Sequence, residues 1–127
     1  MAESAHYLCP LDQLQDAGPG LRFSLLAGGE EATGFVVRFG AHHYAYLNRC
    51  QHVPIELDWE PGQFFESGKR FIMCSTHGAI YQPESGQCAG GPCRGGKLRR
   101  IALEERDGGL YWLADDYCKP LPAATGA

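Results

Sequence analysis

Cys50-Gln51-His52 and Cys74-Ser75-Thr76-His77 are the two stretches on which the reading of this 127-residue chain turns. Each sets one thiolate donor and one imidazole donor at the spacing that a single short metal-binding loop needs. Together they offer two sulfurs and two nitrogens, enough to hold an inorganic centre. Their order says more than their number, because each loop gives one Cys and one His. Structural zinc sites usually group two close cysteines and two close histidines instead. Mononuclear zinc therefore stays open as a weaker alternative, with ordinary buried cysteines and surface histidines behind it.

Two facing loops of this composition suit a two-iron cluster, in which each iron needs two protein ligands beyond the bridging sulfides. The pattern resembles the Rieske family, whose signature is C-x-H followed by C-x-x-H. Other residues recur in family-like order: Asn48 before the first loop, Gly78 after His77, then Tyr81, Gly86 and Gly91-Pro92. The residues between the motifs, 53–73, number 21, longer than the family's usual stretch.

The resemblance implies one Rieske-type [2Fe-2S] cluster per chain, Cys50 and Cys74 holding one iron and His52 and His77 the other. It implies a surround of Gly78, Ala79, Tyr81, Gly91 and Pro92. High-potential members carry an extra Cys in each loop, joined as a disulfide; Ser75-Thr76 and Val53-Pro54-Ile55 provide none. Ala79 stands where those members have a Ser that bonds a sulfide, while Tyr81 matches their tyrosine and is expected to donate to a ligand sulfur. The expectation is a potential in the lower part of the roughly −150 to +300 mV Rieske range.

Composition narrows the class. Seventeen Gly and eight Pro, with no long amphipathic period, predict many short strands joined by turns, an all-β fold. The resemblance makes it an antiparallel β-sandwich with a small inserted cluster-binding subdomain, about residues 47–92, in a single domain over 1–127. The net charge of −4 and the absence of a basic stripe give no support for nucleic-acid binding. No run approaches the ~20 apolar residues of a membrane span, and Met1 to Leu14 lacks the pattern of a secretory signal. A cytoplasmic location is the expectation.

Strands are expected over Leu21–Leu26, Thr33–Phe39, His42–Leu47 and Phe71–Cys74, and Ile80-Tyr81 leads into a turn over Pro83–Gly86. A last hairpin is expected from Leu98–Glu105 to Leu110–Ala114 across Asp107-Gly108-Gly109. Pro10–Gln15 is the one helical candidate, and about 116–127 reads as a loose Pro/Ala tail. The extra residues between the motifs are assigned to Asp58–Gln63, where Trp59 offers either a core aromatic or a docking surface.

Cys88 and Cys93 flank the Gly-Pro segment; pairing or a redox role stays open for them, and free thiols are the default expectation in a reducing cytosol. Cys9 and Cys118 read as packing or surface residues; His6, His42 and His43 lack a Cys at loop spacing, and the alternation of His42 and His43 with Tyr44 and Tyr46 favours a structural role for them. No Ser/His/Asp set, carboxylate pair or phosphate loop suggests bond-making catalysis. The resemblance thus implies an electron-transfer ferredoxin between a flavin-dependent reductase and an oxygenase-like terminal enzyme. A small subunit of a reductase complex and a redox or iron sensor are the alternatives.

Overall fold

The structure, a computed structural model, describes residues 5–49, 56–58, 62–74, 78–91 and 96–121. Eleven strands lie among them: β1 Ala5–Pro10, β2 Leu21–Ala27, β3 Glu30–Phe39, β4 His42–Leu47, β5 Ile72–Met73, β6 Ile80–Tyr81, β7 Cys88–Gly90, β8 Arg100–Ile101, β9 Leu103–Arg106, β10 Gly109–Leu113 and β11 Cys118–Lys119. They form three antiparallel sheets in the orders β1-β10-β9, β11-β2-β3-β4-β8 and β5-β6-β7. The all-β expectation holds.

The five-stranded sheet is the middle of the molecule, and side-chain alternation shows why. Along β3, Phe35 and Val37 enter one core, with Tyr46, Leu57, Phe64, Ile72, Cys74, Ala79, Tyr81 and Leu98. Val36, pointing the other way, enters a second core with Leu25, Ala45, Leu47, Ile101, Leu110 and Trp112. Both faces of β3 and β4 are thus covered, which is why Phe35-Val36-Val37 is apolar without a break. The first core joins this sheet to β5-β6-β7; the second joins it to β1-β10-β9.

Two turns fix the register. Gly28 and Gly29 join β2 to β3 with φ of 61° and 87°, and Asp107 and Gly108 join β9 to β10 with φ of 50° and 77°. Two residues at positive φ are what a two-residue hairpin with right-twisted strands requires. The β2–β3 ladder then carries the exposed Glu30 and Glu31 into β3, three positions earlier than apolar patterning alone indicates.

Three expectations are corrected. Pro10–Gln15 is not helical: Pro10 ends β1, and turns and bends follow. The expected strand Leu98–Glu105 is broken at Ala102 into β8 and β9, which belong to different sheets: β8 pairs with β4 of the central sheet and β9 with β10. The tail is not loose from 116. Cys118 and Lys119 pair with Ala27 and Leu26, and the Asp115 carboxylate accepts bonds from the backbone N–H groups of Tyr117 and Cys118 at 2.8 and 2.7 Å. Residues 122–127 lie outside the described residues.

Candidate metal centre

Cys74 follows β5 directly and is completely buried, at 0% exposure, and it stands outside any disulfide. Its backbone N–H donates to the Ala79 carbonyl at 2.8 Å, and its own carbonyl accepts from Gly78 N–H at 2.9 Å. These two bonds close a tight loop on β6. Ser75, Thr76 and His77, inside that loop, lie outside the described residues, as do Cys50, His52, Trp59, Pro92 and Cys93.

A third segment meets this loop. Gly91, at φ +83°, comes so close that a Cβ placed on it would stand 2.9 Å from Ala79 Cα and 3.0 Å from the Gly78 carbonyl oxygen. Only glycine fits both the conformation and the approach. Gly78 is itself at φ +77°. The expected surround of Gly78, Ala79, Tyr81 and Gly91 is therefore gathered about Cys74: Ala79 and Tyr81 share its core, and Gly91 seals the loop from outside.

The first loop is held by a buried polar group. The Asn48 side chain accepts from Leu57 N–H at 2.8 Å and donates to the Asp58 carboxylate at 2.9 Å. Asp58 accepts from Gly62 N–H at 2.9 Å and lies 3.4 Å from Arg22 Nε. Asn48 and Asp58 are 4% and 5% exposed. Sequence reading placed Asn48 beside the loop and missed Asp58 and Arg22. The available signal was an Asp four residues before Gly62 in a Pro-Gly turn, a position where carboxylates bond backbone N–H groups.

Segment 62–74, within the long stretch between the motifs, doubles back on itself. Met73 N–H donates to the Phe64 carbonyl at 2.8 Å and Glu66 N–H to the Phe71 carbonyl at 3.0 Å. Phe64 then stacks on Phe35 of β3 at 3.9 Å, which fastens the segment to the central sheet.

Cys88 corrects the free-thiol expectation: it is disulfide-bonded. Cys9, Cys74 and Cys118 are not in disulfides, so its partner lies outside the described residues. The expectation rested on compartment chemistry, which carries no geometry.

Elsewhere, a cavity of about 510 Å³ is lined by His42, His43, Tyr44, Arg100 and Glu105 among others. It lies at the opposite end of β4 from the first loop. His43 there is 8% exposed, 3.9 Å from the Glu105 carboxylate, with both ring nitrogens lacking a hydrogen-bond partner. Burial lowers its pKa, with Glu105 pulling the other way. Among the described residues no three His, Cys, Asp or Glu side chains gather as a metal site, three of the four expected ligands being outside them.

The buried thiol, the tight loop closed on β6 and the glycine-only approach of a third segment fit a cluster whose sulfurs are shielded by backbone. Comparison with known families agrees, since the Rieske [2Fe-2S] domain matches residues 5–105. The chain belongs to the Rieske [2Fe-2S] family. Its cofactor is accordingly one Rieske-type [2Fe-2S] cluster per chain. No curated protein matches.

Among solved structures, the chain is similar to the ferredoxin of carbazole 1,9a-dioxygenase from Nocardioides aromaticivorans IC177. Identity is 22% and the TM-score 0.67, over 89% of this chain and 100% of that one. A complex of reduced oxygenase and oxidised ferredoxin of carbazole 1,9a-dioxygenase matches with 22% identity and TM-score 0.67, over 87% and 93%. A carbazole-bound oxygenase–ferredoxin complex matches with 20% identity and TM-score 0.65, over 93% of this chain but 30% of the other. At these identities the likeness is one of fold. No helix among the described residues is long and apolar enough to cross a membrane.

Proposed function

We propose that this Rieske protein is a cytoplasmic ferredoxin that takes single electrons from a flavin-dependent reductase and passes them to an oxygenase-like terminal enzyme. The observation that supports this reading is the fold: the match takes in 89% of this chain and the whole of a ferredoxin of carbazole 1,9a-dioxygenase, and the family match takes in residues 5–105. Cys50 and Cys74 would hold one iron and His52 and His77 the other, within a cluster-binding subdomain of about residues 47–92. The cluster supplies one-electron chemistry. This chain's residues supply a dry thiolate at Cys74, backbone cover from Gly78 and Gly91, and Ala79 in place of a hydroxyl donor.

With one donor fewer, the reduced and more negative cluster is stabilised less, so the midpoint belongs in the lower part of the roughly −150 to +300 mV range. A redox titration tests this, and a midpoint above about +150 mV contradicts it. His77→Cys distinguishes the ligand set. It should retain iron, lower the midpoint and flatten its pH dependence, because a thiolate replaces a neutral imidazole able to lose a proton. Unchanged values remove His77 from the ligand set. Reduction by a flavin reductase and reoxidation by an oxygenase component, followed at the cluster's visible bands, tests the carrier role.

The Cys88 disulfide favours a second reading, a redox sensor. In a reducing compartment such a bond is of the transient, responsive kind. A midpoint and partner turnover that do not change between thiol-reduced and disulfide forms dismiss that reading.

A further inference from the structure

The first ligand loop follows Leu47 of the central sheet, Leu57 beyond it is buried in the first core, and one pair of side chains joins the two sides. Asn48 Oδ1 accepts from Leu57 N–H at 2.8 Å, and Asn48 Nδ2 donates to Asp58 Oδ1 at 2.9 Å. The other Asp58 oxygen accepts from Gly62 N–H at 2.9 Å, and Asn48 N–H is fastened to the Thr33 carbonyl of β3 at 2.8 Å. The Asp58 side chain is 0% exposed, and the cation beside it, Arg22, is 32% exposed and shared with Glu56 at 2.8 Å.

Burying a carboxylate here is expensive, and apolar packing of the same volume is often as stable or more so. What apolar packing does not provide is direction, since hydrophobic contact is indifferent to register, whereas hydrogen bonds hold donor and acceptor to a few tenths of an ångström. A loop that must present a Cys and a His two residues apart to two different irons needs that register. Resting on the assignment of Cys50 and His52 as ligands, we propose that Asn48 and Asp58 are positioning residues, a hydrogen-bonded latch that fixes the mouth of the first loop and so the placement of both ligands.

The pair has a complementary exchange that tests this. In Asn48→Asp alone, two carboxylates face each other and the donor to Asp58 is lost. In Asp58→Asn alone, the new amide meets a donor on at least one side. In the double variant, N48D with D58N, Asp at 48 accepts from Leu57 and from the new amide, and Asn at 58 accepts from Gly62, so all three hydrogen bonds are restored while the negative charge moves away from Arg22. The full chain carrying its cluster is challenged with an iron chelator, the release rate is followed, and the EPR line shape of the reduced cluster is recorded. Each single variant should release iron about tenfold faster, the usual scale for residues behind a metal ligand, with an altered line shape. The exchange should return both to near wild type.

Singles that release iron at the wild-type rate with unchanged EPR, or an exchange no better than the singles or unable to fold, overturn the latch. Cys50→Ala and His52→Ala separate this from the ligand assignment. If they keep a wild-type cluster, the assignment fails; if they lose it while the latch singles do not, the latch alone fails.

Discussion

The Tyr46 hydroxyl of β4 donates a 2.6 Å hydrogen bond to the Pro83 carbonyl, in the turn between β6 and β7. Tyr46 is completely buried, so a side chain of the central sheet satisfies a backbone group of the turn that joins β6 to β7. Tyr46→Phe leaves that carbonyl without its donor and should cost about 1–2 kcal/mol in chemical denaturation, with cluster content unchanged. Burial, the main cause, pushes the Tyr46 pKa up to about 12. Raised above the unfolded value of about 10, it contributes stability that is fully present below that pH and lost as pH rises through about 12. Equal wild-type and variant stabilities would show that the bond contributes nothing.

Gly91→Ala places a methyl 2.9 Å from Ala79 Cα at φ +83°. The loop behind Cys74 must move or the third segment must withdraw. Iron content after expression should fall several-fold and stability by about 1–3 kcal/mol. Gly29→Ala is the control. It has a similar φ of +87° with nothing within 4 Å, so it should carry the conformational cost alone and keep the cluster. If both variants behave alike, contact with Ala79 is irrelevant.

His43 gives the acid limb of stability. Burial depresses its pKa below the ordinary value; Glu105 and the Leu11 backbone oppose this, and Arg38 and His42 reinforce it. A depressed histidine contributes stability that is present above the unfolded pKa of about 6.5 and is lost as pH falls toward the folded value. Unfolding midpoints measured from pH 7.5 down to 5 should fall, and His43→Phe should flatten that slope. A slope unchanged by the substitution assigns the acid sensitivity to other groups.

Cys88 sets a thiol count. Of the six cysteines, the disulfide at Cys88 withdraws two from alkylation in the denatured, cluster-stripped protein. Mass spectrometry with and without reductant should differ by two alkyl groups, and Cys88→Ser should abolish the difference. Six alkyl groups without reductant would rule the bond out.

Much of this fold is legible in the sequence because hydrophobic alternation and Gly-rich turns act locally. The strands at Leu21, Thr33, His42 and Leu110 and the Asp107-Gly108 turn all follow from such signals. What escaped the reading depends on partners distant in the chain. β1 pairs with β10 more than a hundred positions away, and β11 is a strand because β2 offers it an edge. The break at Ala102 lies where the chain passes from pairing with β4 to pairing with β10, strands of two different sheets. At the site, Cys74, Gly78, Ala79 and Tyr81 carry a motif signal, whereas Asp58 falls in the stretch assigned to the extra residues, and its burial depends on Asn48 and Arg22.

The metal content and spectrum of freshly purified protein test the cluster most directly. The protein should be coloured, hold about two iron and two acid-labile sulfide per chain and give an EPR signal that appears on reduction. A colourless protein holding one zinc and no sulfide would contradict the cluster assignment.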